Sequence, residues 1–517
     1  MNSKHKKQAS SLLMTKAKPD HLSAENLFQL AVSFHQQQRF QDATKLYESV
    51  LLANSAHADA WHMRGLLCAQ AGENEKAVEL ISKAIELNGT KSAYFNNRGL
   101  ALQKLNCLPE AMADFQKAIA LEPGLAEAHC NQGNVLMGWH RHQEALGCFD
   151  RAIEIQPDYA DAYFNRGNVY AAMLDIPNAC QNYDQALALN PNDVDVKFSK
   201  GNALLLAGEY FSGWHLYESR LQTQNASKNK RQFSKPLWLG DNDIGHKTIL
   251  IHAEQGLGDT LQFIRYVPMV AALGATVVVE VQAPLLSLFQ NMQGISVLLK
   301  KGDLLPPFDF HCPMMSLPLA FKTRLDTIPA CTRFITSQAK KQYWADKSGS
   351  KVKPLVGLVW SGGFHPNQPE IWEANERRNL PLHHLRSLSG IEVEFISLQK
   401  GEPAESEFRQ AVAADWDGPL IHDHVHELKD FSDTAALVMN LDLVIAVDTS
   451  TAHLAASLGK PVWLLNRYDT CWRWLLDRED SLWYPSLKIY RQPSIGDWDT
   501  VMQRVRQDLL AWCAEQH

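Results

Sequence analysis

Residues 447–465 read VDTSTAHLAASLGKPVWLL. The apolar run 441–447 predicts a strand ending at Asp448, and three hydroxyl residues follow, Thr449, Ser450 and Thr451. A short alanine-rich helix is predicted from near His453 to Gly459, and Pro461 leads into a second apolar strand. Strand, loop, helix and strand in that order form the building unit of a parallel α/β sheet. The helix start carries unpaired N–H groups and a partial positive charge. It therefore favours an anion, in an α/β enzyme often a phosphate. Ser and Thr are equally the preferred residues of an ordinary helix cap, so the segment alone supports both readings.

The pattern extends outward. Buried strands are predicted at 248–252, 276–281, 355–360, 393–398 and 462–465, with helices between many of them, one over 260–269. Two α/β blocks result, an N-terminal one over 247–346 and a C-terminal one over 353–490, joined by the polar stretch 347–353. A last helix within 491–517 is expected to return to the N-terminal block. Two such Rossmann-like domains facing each other enclose a cleft, and ligands sit beyond the carboxyl ends of the strands. Four loops fall at such ends. They are 256–259 with Gly256, Gly258 and Asp259, 361–363 opening on Ser361, 399–402 with Lys400 and Glu402, and 448–453.

The first half of the chain keeps time. Gly65, Gly99, Gly133, Gly167 and Gly201 stand 34 residues apart, as do Ala43, Ala77, Ala111, Ala145 and Ala179. Pro123, Pro157 and Pro191 close the units. This resembles the tetratricopeptide repeat, in which small residues let two antiparallel helices pack closely. Six repeats are expected over 24–227, after a disordered tail at 1–23 and before a linker at 228–246 that includes Lys228 and Lys230. The first has Ala31 where Gly is expected, and the sixth has Gly213 in place of an Ala, departures that suit terminal repeats. Asn97, Asn131 and Asn165 precede the repeat Gly by two residues; Asn134, Asn168 and Asn202 follow it by one. That spacing puts both sets on one helical face, where a ladder of amides can hold the backbone of a protein or peptide partner. It resembles the asparagine ladder in the repeats of O-GlcNAc transferase. The plain alternative is a common, solvated polar residue.

Composition narrows the classes. A chain of 517 residues suggests about three domains. A hydrophobic content of 45% with 21% charged residues describes a globular protein, and a net charge of −7 gives no reason to expect nucleic acid. Nine scattered cysteines without CxxC spacing read as reduced thiols of a cytoplasmic protein. The apolar run near the N-terminus is too short for a signal peptide, and Glu280 and Asp442 interrupt the best candidates for a membrane span. Four DxD patterns occur (193/195, 241/243, 415/417 and 497/499), and none follows a clear strand of the cleft, so neither metal nor cofactor is expected.

The GLGD loop early in the first block, followed by WSGG, ERRNLPL, SLQKGE, DFSDTAAL, DTSTAHLA and WRWLLDRED, resembles heptosyltransferase-type GT-B glycosyltransferases, and the motif order looks like that of bacterial tetratricopeptide-repeat proteins carrying such a domain. The likeness covers about 246–515. It implies a nucleotide-sugar donor held mainly by the C-terminal block and an acceptor held by the N-terminal block. Thr449, Ser450, Thr451 and His453 would hold the diphosphate, with Arg378 (Arg377 is the adjacent alternative) and Lys400 adding charge. Glu402 would bind a ribose or sugar hydroxyl, and Asp448 would orient the loop. Asp259 would be the base for an inverting, metal-independent transfer, although it also stands where a helix cap would. Trp472, Arg473 and Trp474 read as core or hinge packing, or as a surface that stacks a nucleobase or lines the acceptor cleft. A nucleotide-sugar epimerase and a non-catalytic scaffold are the competing readings.

Overall fold

The 34-residue period becomes pairs of antiparallel helices. The computed structural model describes residues 23–223, 231–331, 334, 336–347, 352–363 and 372–516. Residues 1–22 of the expected N-terminal tail, Lys228 and Lys230, and the middle of the 347–353 linker lie outside them, whereas Ser23 caps the first helix. The chain divides into two units, Met1–Pro191 and Asn192–His517.

Five helix pairs make up the described part of the first unit, from Ala24–Gln36 with Phe40–Ala53 to Ala160–Ala172 with Ile176–Leu189. The repeat glycines sit where the helices touch. A methyl group on Gly99 would lie 2.6 Å from Phe115, and one on Gly133 2.8 Å from Phe149. The matching alanines, Ala43, Ala77, Ala111, Ala145 and Ala179, are fully buried. Arg98 pairs across the same seam with Asp114, at 2.7 Å. Each turn inside a pair closes on a left-handed residue: Gln38, Gly72, Asn106, His140 and Leu174, with φ from 57° to 81°. Ala31 replaces the repeat Gly in the first pair and is itself buried, so that pair keeps the architecture.

The second unit opens with the sixth repeat, Val194–Leu206 and Tyr210–Tyr217. Gly213 stands in place of the repeat Ala because a methyl group there would meet Leu205 at 2.7 Å. This pair packs on the α/β part that follows. The Trp214 indole donates to the Thr323 carbonyl at 3.1 Å, and the Trp483 indole donates to Tyr210 Oη at 3.0 Å. Arg220, just beyond the second helix, is buried between Glu218 and Glu254 at 2.5 and 2.8 Å.

Two parallel sheets follow. The first contains β1 (Thr248–His252), β2 (Thr276–Val281), β3 (Val297–Lys300) and β4 (Phe310–Pro313), in the order β3-β2-β1-β4. The second contains β5 (Leu355–Val359), β6 (Glu394–Ser397), β7 (Ile421–His422), β8 (Leu443–Val447), β9 (Val462–Asn466) and β10 (Leu487–Arg491), in the order β10-β9-β8-β5-β6-β7. Central strands β5, β8 and β9 are buried along their whole length, as strands covered on both faces must be. In each sheet the order reverses beside the first strand, β1 and β5, which is where an α/β sheet opens a crevice for a ligand.

Two expectations are corrected. The helix expected over 260–269 is three pieces, Leu257–Phe263, a 3₁₀ turn at Ile264–Tyr266, and Val267–Ala272, because Pro268 starts a new helix. The last helix, Trp498–Gln516, does not return to the N-terminal block. Its apolar face, Trp498, Val501, Met502, Val505, Leu509 and Cys513, joins the core of the C-terminal block with Leu382, Leu385 and Leu388. Arg506 fastens it there by donating to the Ser387 and Ser389 carbonyls. Among the described residues no helix is long and apolar enough to cross a membrane.

Candidate functional site

The loop after β1 and the loop after β8 meet. Gly258 lies so close to the helix Ser450–Ser457 that a methyl group on it would stand 2.9 Å from the His453 ring and 3.6 Å from Ser450 Cα. Only a glycine permits that approach. The contact brings the carboxyl ends of the two sheets to one junction, and the side chains around it are charged.

Asp259, next to Gly258, uses both carboxylate oxygens. Oδ2 accepts from the Gly256 N–H at 2.9 Å, and Oδ1 accepts from Arg473 Nη2. The first bond is a helix cap, the plain role that the sequence already allowed. The second crosses from one sheet's loops to the other's. Arg473 also donates through Nε to Gln262 Oε1 at 2.6 Å, and its guanidinium lies 4.2 Å from the Trp472 ring centre. The backbone under it is pinned: Arg491 donates to the carbonyls of Trp474 and Leu475, at 3.2 and 2.6 Å. Leu475 itself sits at φ 49°, a conformation that side-chain-bearing residues rarely adopt. Local strain of this kind is held in place by the structure around it.

On the β8 side, Asp448 accepts from the Trp474 indole at 2.9 Å and faces His453 Nε2 at 3.6 Å. The other ring nitrogen of His453 bonds Tyr484 Oη at 2.9 Å, and the ring stacks on Trp474. Burial opposes the charge on Asp448. The His453 ring, the Trp474 indole and the Arg378 guanidinium outweigh it and hold the carboxyl well below the usual range. Thr449 is the helix cap residue, yet its hydroxyl makes no capping bond and is buried without a partner. Ser450 and Thr451 occupy the first helical turn, whose N–H groups have no partner inside the helix.

Arg378 lies flat against Gly362; a methyl group there would be 2.2 Å from Nη2. It donates to Asn375 Oδ1 at 2.6 Å, while its Nε is buried without a partner. Burial disfavours its charge, whereas Asp448 and Asp259 favour it. Arg377 turns to Asp469 instead, at 3.0 Å. Ser361 is buried, with its N–H on Gln399 at 2.8 Å and its hydroxyl on the Gly362 carbonyl at 3.1 Å.

The junction thus gathers Gly256, Gly258, Asp259, Arg378, Asp448, Thr449, Ser450, Thr451 and His453, with Ser361 beside Gly362. Lys400 and Glu402 are occupied elsewhere. Lys400 donates to the Leu428 carbonyl, and Glu402 accepts from the Ser406 N–H at 3.2 Å. Trp472 and Trp474 are core residues, the plainer of the two readings, and Arg473 between them reaches Asp259 across the junction. Two of the DxD patterns are turn and helix caps: Asp193 accepts from Asp195 and Val196 N–H groups, and Asp497 from that of Thr500.

In the first unit Asn97, Asn131 and Asn165 each reach back one repeat, to His62 at 2.9 Å, Asn96 at 2.9 Å and Cys130 at 3.5 Å. Asn168 accepts from Tyr183 Oη at 2.9 Å, and Asn202, in the second unit, donates to the Phe198 carbonyl at 3.0 Å. The side-chain oxygen of Asn134 is buried without a partner.

The repeat half is tetratricopeptide. The tetratricopeptide repeat family matches residues 28–94 and 160–193, and the TPR repeat family matches 141–173. Protein FlbA of Caulobacter vibrioides is 26% identical over 334 residues, 60% of this chain. The chain spans about half, 54%, of that relative's length. Among solved structures, YrrB, described as a TPR protein with an unusual peptide-binding site, is 24% identical with a TM-score of 0.30, over 34% of this chain and 92% of its own. PilW, a type IV pilus biogenesis factor, is 20% identical with a TM-score of 0.37, over 42% of this chain and all of its own.

Proposed function

We propose that the second unit is a GT-B-type glycosyltransferase, inverting and metal-independent, and that the repeats recruit a protein acceptor or partner. The observation that carries the reading is the junction at Gly258. It sets a carboxylate, Asp259, against a helix start whose first-turn N–H groups and unpartnered Thr449 hydroxyl are supplied with positive charge by Arg378. A helix start so equipped suits the diphosphate of a sugar nucleotide and stabilises it as it leaves. In the reaction the acceptor oxygen bonds the anomeric carbon, and the bond from that carbon to the phosphate oxygen breaks. The electron pair departs with the nucleoside diphosphate, and the acceptor proton passes to Asp259. Lys400 and Glu402 need a rearrangement to take part, so they stand behind Arg378 in the order of support.

The test is direct. The chain is incubated with sugar nucleotides and cell lysate, and products are read by mass spectrometry. Transfer of a sugar, lost by at least a hundredfold in Asp259→Asn, is expected. Full transfer by that variant refutes the role of Asp259. Conversion of the sugar nucleotide with no acceptor present would favour an epimerase instead.

A further inference from the structure

The pair between Asp259 and Arg473 is difficult to reconcile with a base ready for use. Both oxygens of the carboxylate are turned to other donors, one to the Gly256 N–H and one to Arg473. Arg473 is a nearly buried cation on a backbone fixed by Arg491, in a turn where Trp472 and Trp474 are core. With the backbone fixed, Nε on Gln262 Oε1 at 2.6 Å and Nη1 on Cys471 Sγ at 3.0 Å, an exchange of partner concerns the Nη2 end of the guanidinium alone. The alternative partner lies at the same junction, since Gly258, which precedes Asp259, already rests on Ser450 at the helix start.

We propose that Arg473 exchanges partners: it holds Asp259 while the site is empty and turns to the diphosphate when a donor occupies the helix start at Ser450, which frees Asp259 to take the acceptor proton. This rests on the donor-site reading above and adds an order to it. The base is released only once a leaving group is in place. An acceptor hydroxyl then meets an active base only in the presence of donor, and Arg473, within WRWLLDRED, becomes a diphosphate-binding and positioning residue. A planar guanidinium suits both partners, because it offers paired donors to a carboxylate or to a phosphate alike.

The exchange makes Asp259 a competitor of the donor for one cation, and that has a measurable sign. Binding of ADP, GDP, UDP and CDP to the full chain is measured by calorimetry. For the nucleotide that binds, Arg473→Gln weakens binding at least tenfold, and Arg473→Lys weakens it less. Asp259→Asn tightens it severalfold, because Arg473 no longer has to leave a carboxylate. In the doubly substituted chain that gain disappears. A gain that persists without Arg473 would mean simple repulsion between Asp259 and phosphate, and would overturn the exchange. So would an Asp259→Asn chain that binds no more tightly than wild type, a result that does not depend on how well the Arg473 variants fold. A wild-type chain that binds none of the four overturns the donor-site reading, and the exchange with it.

Discussion

Gly258 has the least chemistry of any residue in the junction and the most effect on its geometry. Its missing side chain is what lets the loop after β1 rest on the His453 ring. That ring cannot retreat freely: Tyr484 holds one nitrogen at 2.9 Å, Asp448 faces the other, and Trp474 lies along its face. Gly258→Ala should therefore cost ~1–3 kcal/mol of stability, as overpacking in a rigid site does. It should also impair diphosphate binding, since Asp259 and Ser450 would be pushed apart. Chemical denaturation and calorimetry on that one variant check both; full stability with unchanged binding would show that the contact is dispensable. This contact was not legible in the sequence. GLGD and DTSTAH each stood out, but nothing local tells that Gly258 and His453 touch across 194 intervening positions. The same applies to Arg473, whose partner Asp259 is 214 residues away.

Among the elements, legibility followed burial. Strands β1, β2, β5, β8 and β9 are nearly continuous runs of β-branched and aliphatic residues, because both faces of a parallel sheet are covered. The strands that were missed are short or lie at edges: β3 is partly exposed, β4 reads Phe-His-Cys-Pro, β7 has two residues, and β10 is broken by Lys488 and Arg491. In the helical half the period was plain, and three of the six asparagines, Asn97, Asn131 and Asn165, join adjacent repeats. One rung makes a pH prediction. His62, in the helix Ala58–Gln70, accepts from Asn97 only while neutral. Burial is the main reason its pKa is pushed down to about 4; Asp59 opposes the shift and Lys91 adds to it. The folded chain thus resists a proton that the unfolded chain takes up near pH 6.5. Stability is unaffected above that pH, falls as pH drops below it, and levels off near pH 4. Between pH 7 and pH 5 the loss from this residue is about 2 kcal/mol. His62→Gln should remove that part of the pH dependence in thermal unfolding; an unchanged slope would assign it to other groups.

At the scale of the whole molecule, the sequence divides where the repeats end, whereas the structure divides one repeat earlier, at Pro191. The sixth repeat keeps the period and the repeat Gly, which is why it reads as part of the array. What differs is its second helix. Tyr210, Trp214 and Tyr217 are all buried there, against Thr323, Trp472 and Trp483 of the α/β part. Those aromatic residues sit beside both halves of the junction. Trp214 and Tyr217 contact Trp472, the neighbour of Arg473, and Arg220 bonds Glu254 just ahead of the Gly256–Asp259 loop. The repeat is therefore a structural member of the proposed catalytic unit. Trp214→Ala should cost ~3–5 kcal/mol, the usual range for a buried aromatic residue lost to a cavity. The loss should fall on residues 192–516 and leave the first five repeats as they were. Hydrogen exchange resolves the two outcomes. Amides of β1 and β8 should lose protection in the variant, while those of the helices between Ala58 and Leu189 keep theirs. Loss confined to the repeats would return the sixth pair to the array and leave the junction without its buttress.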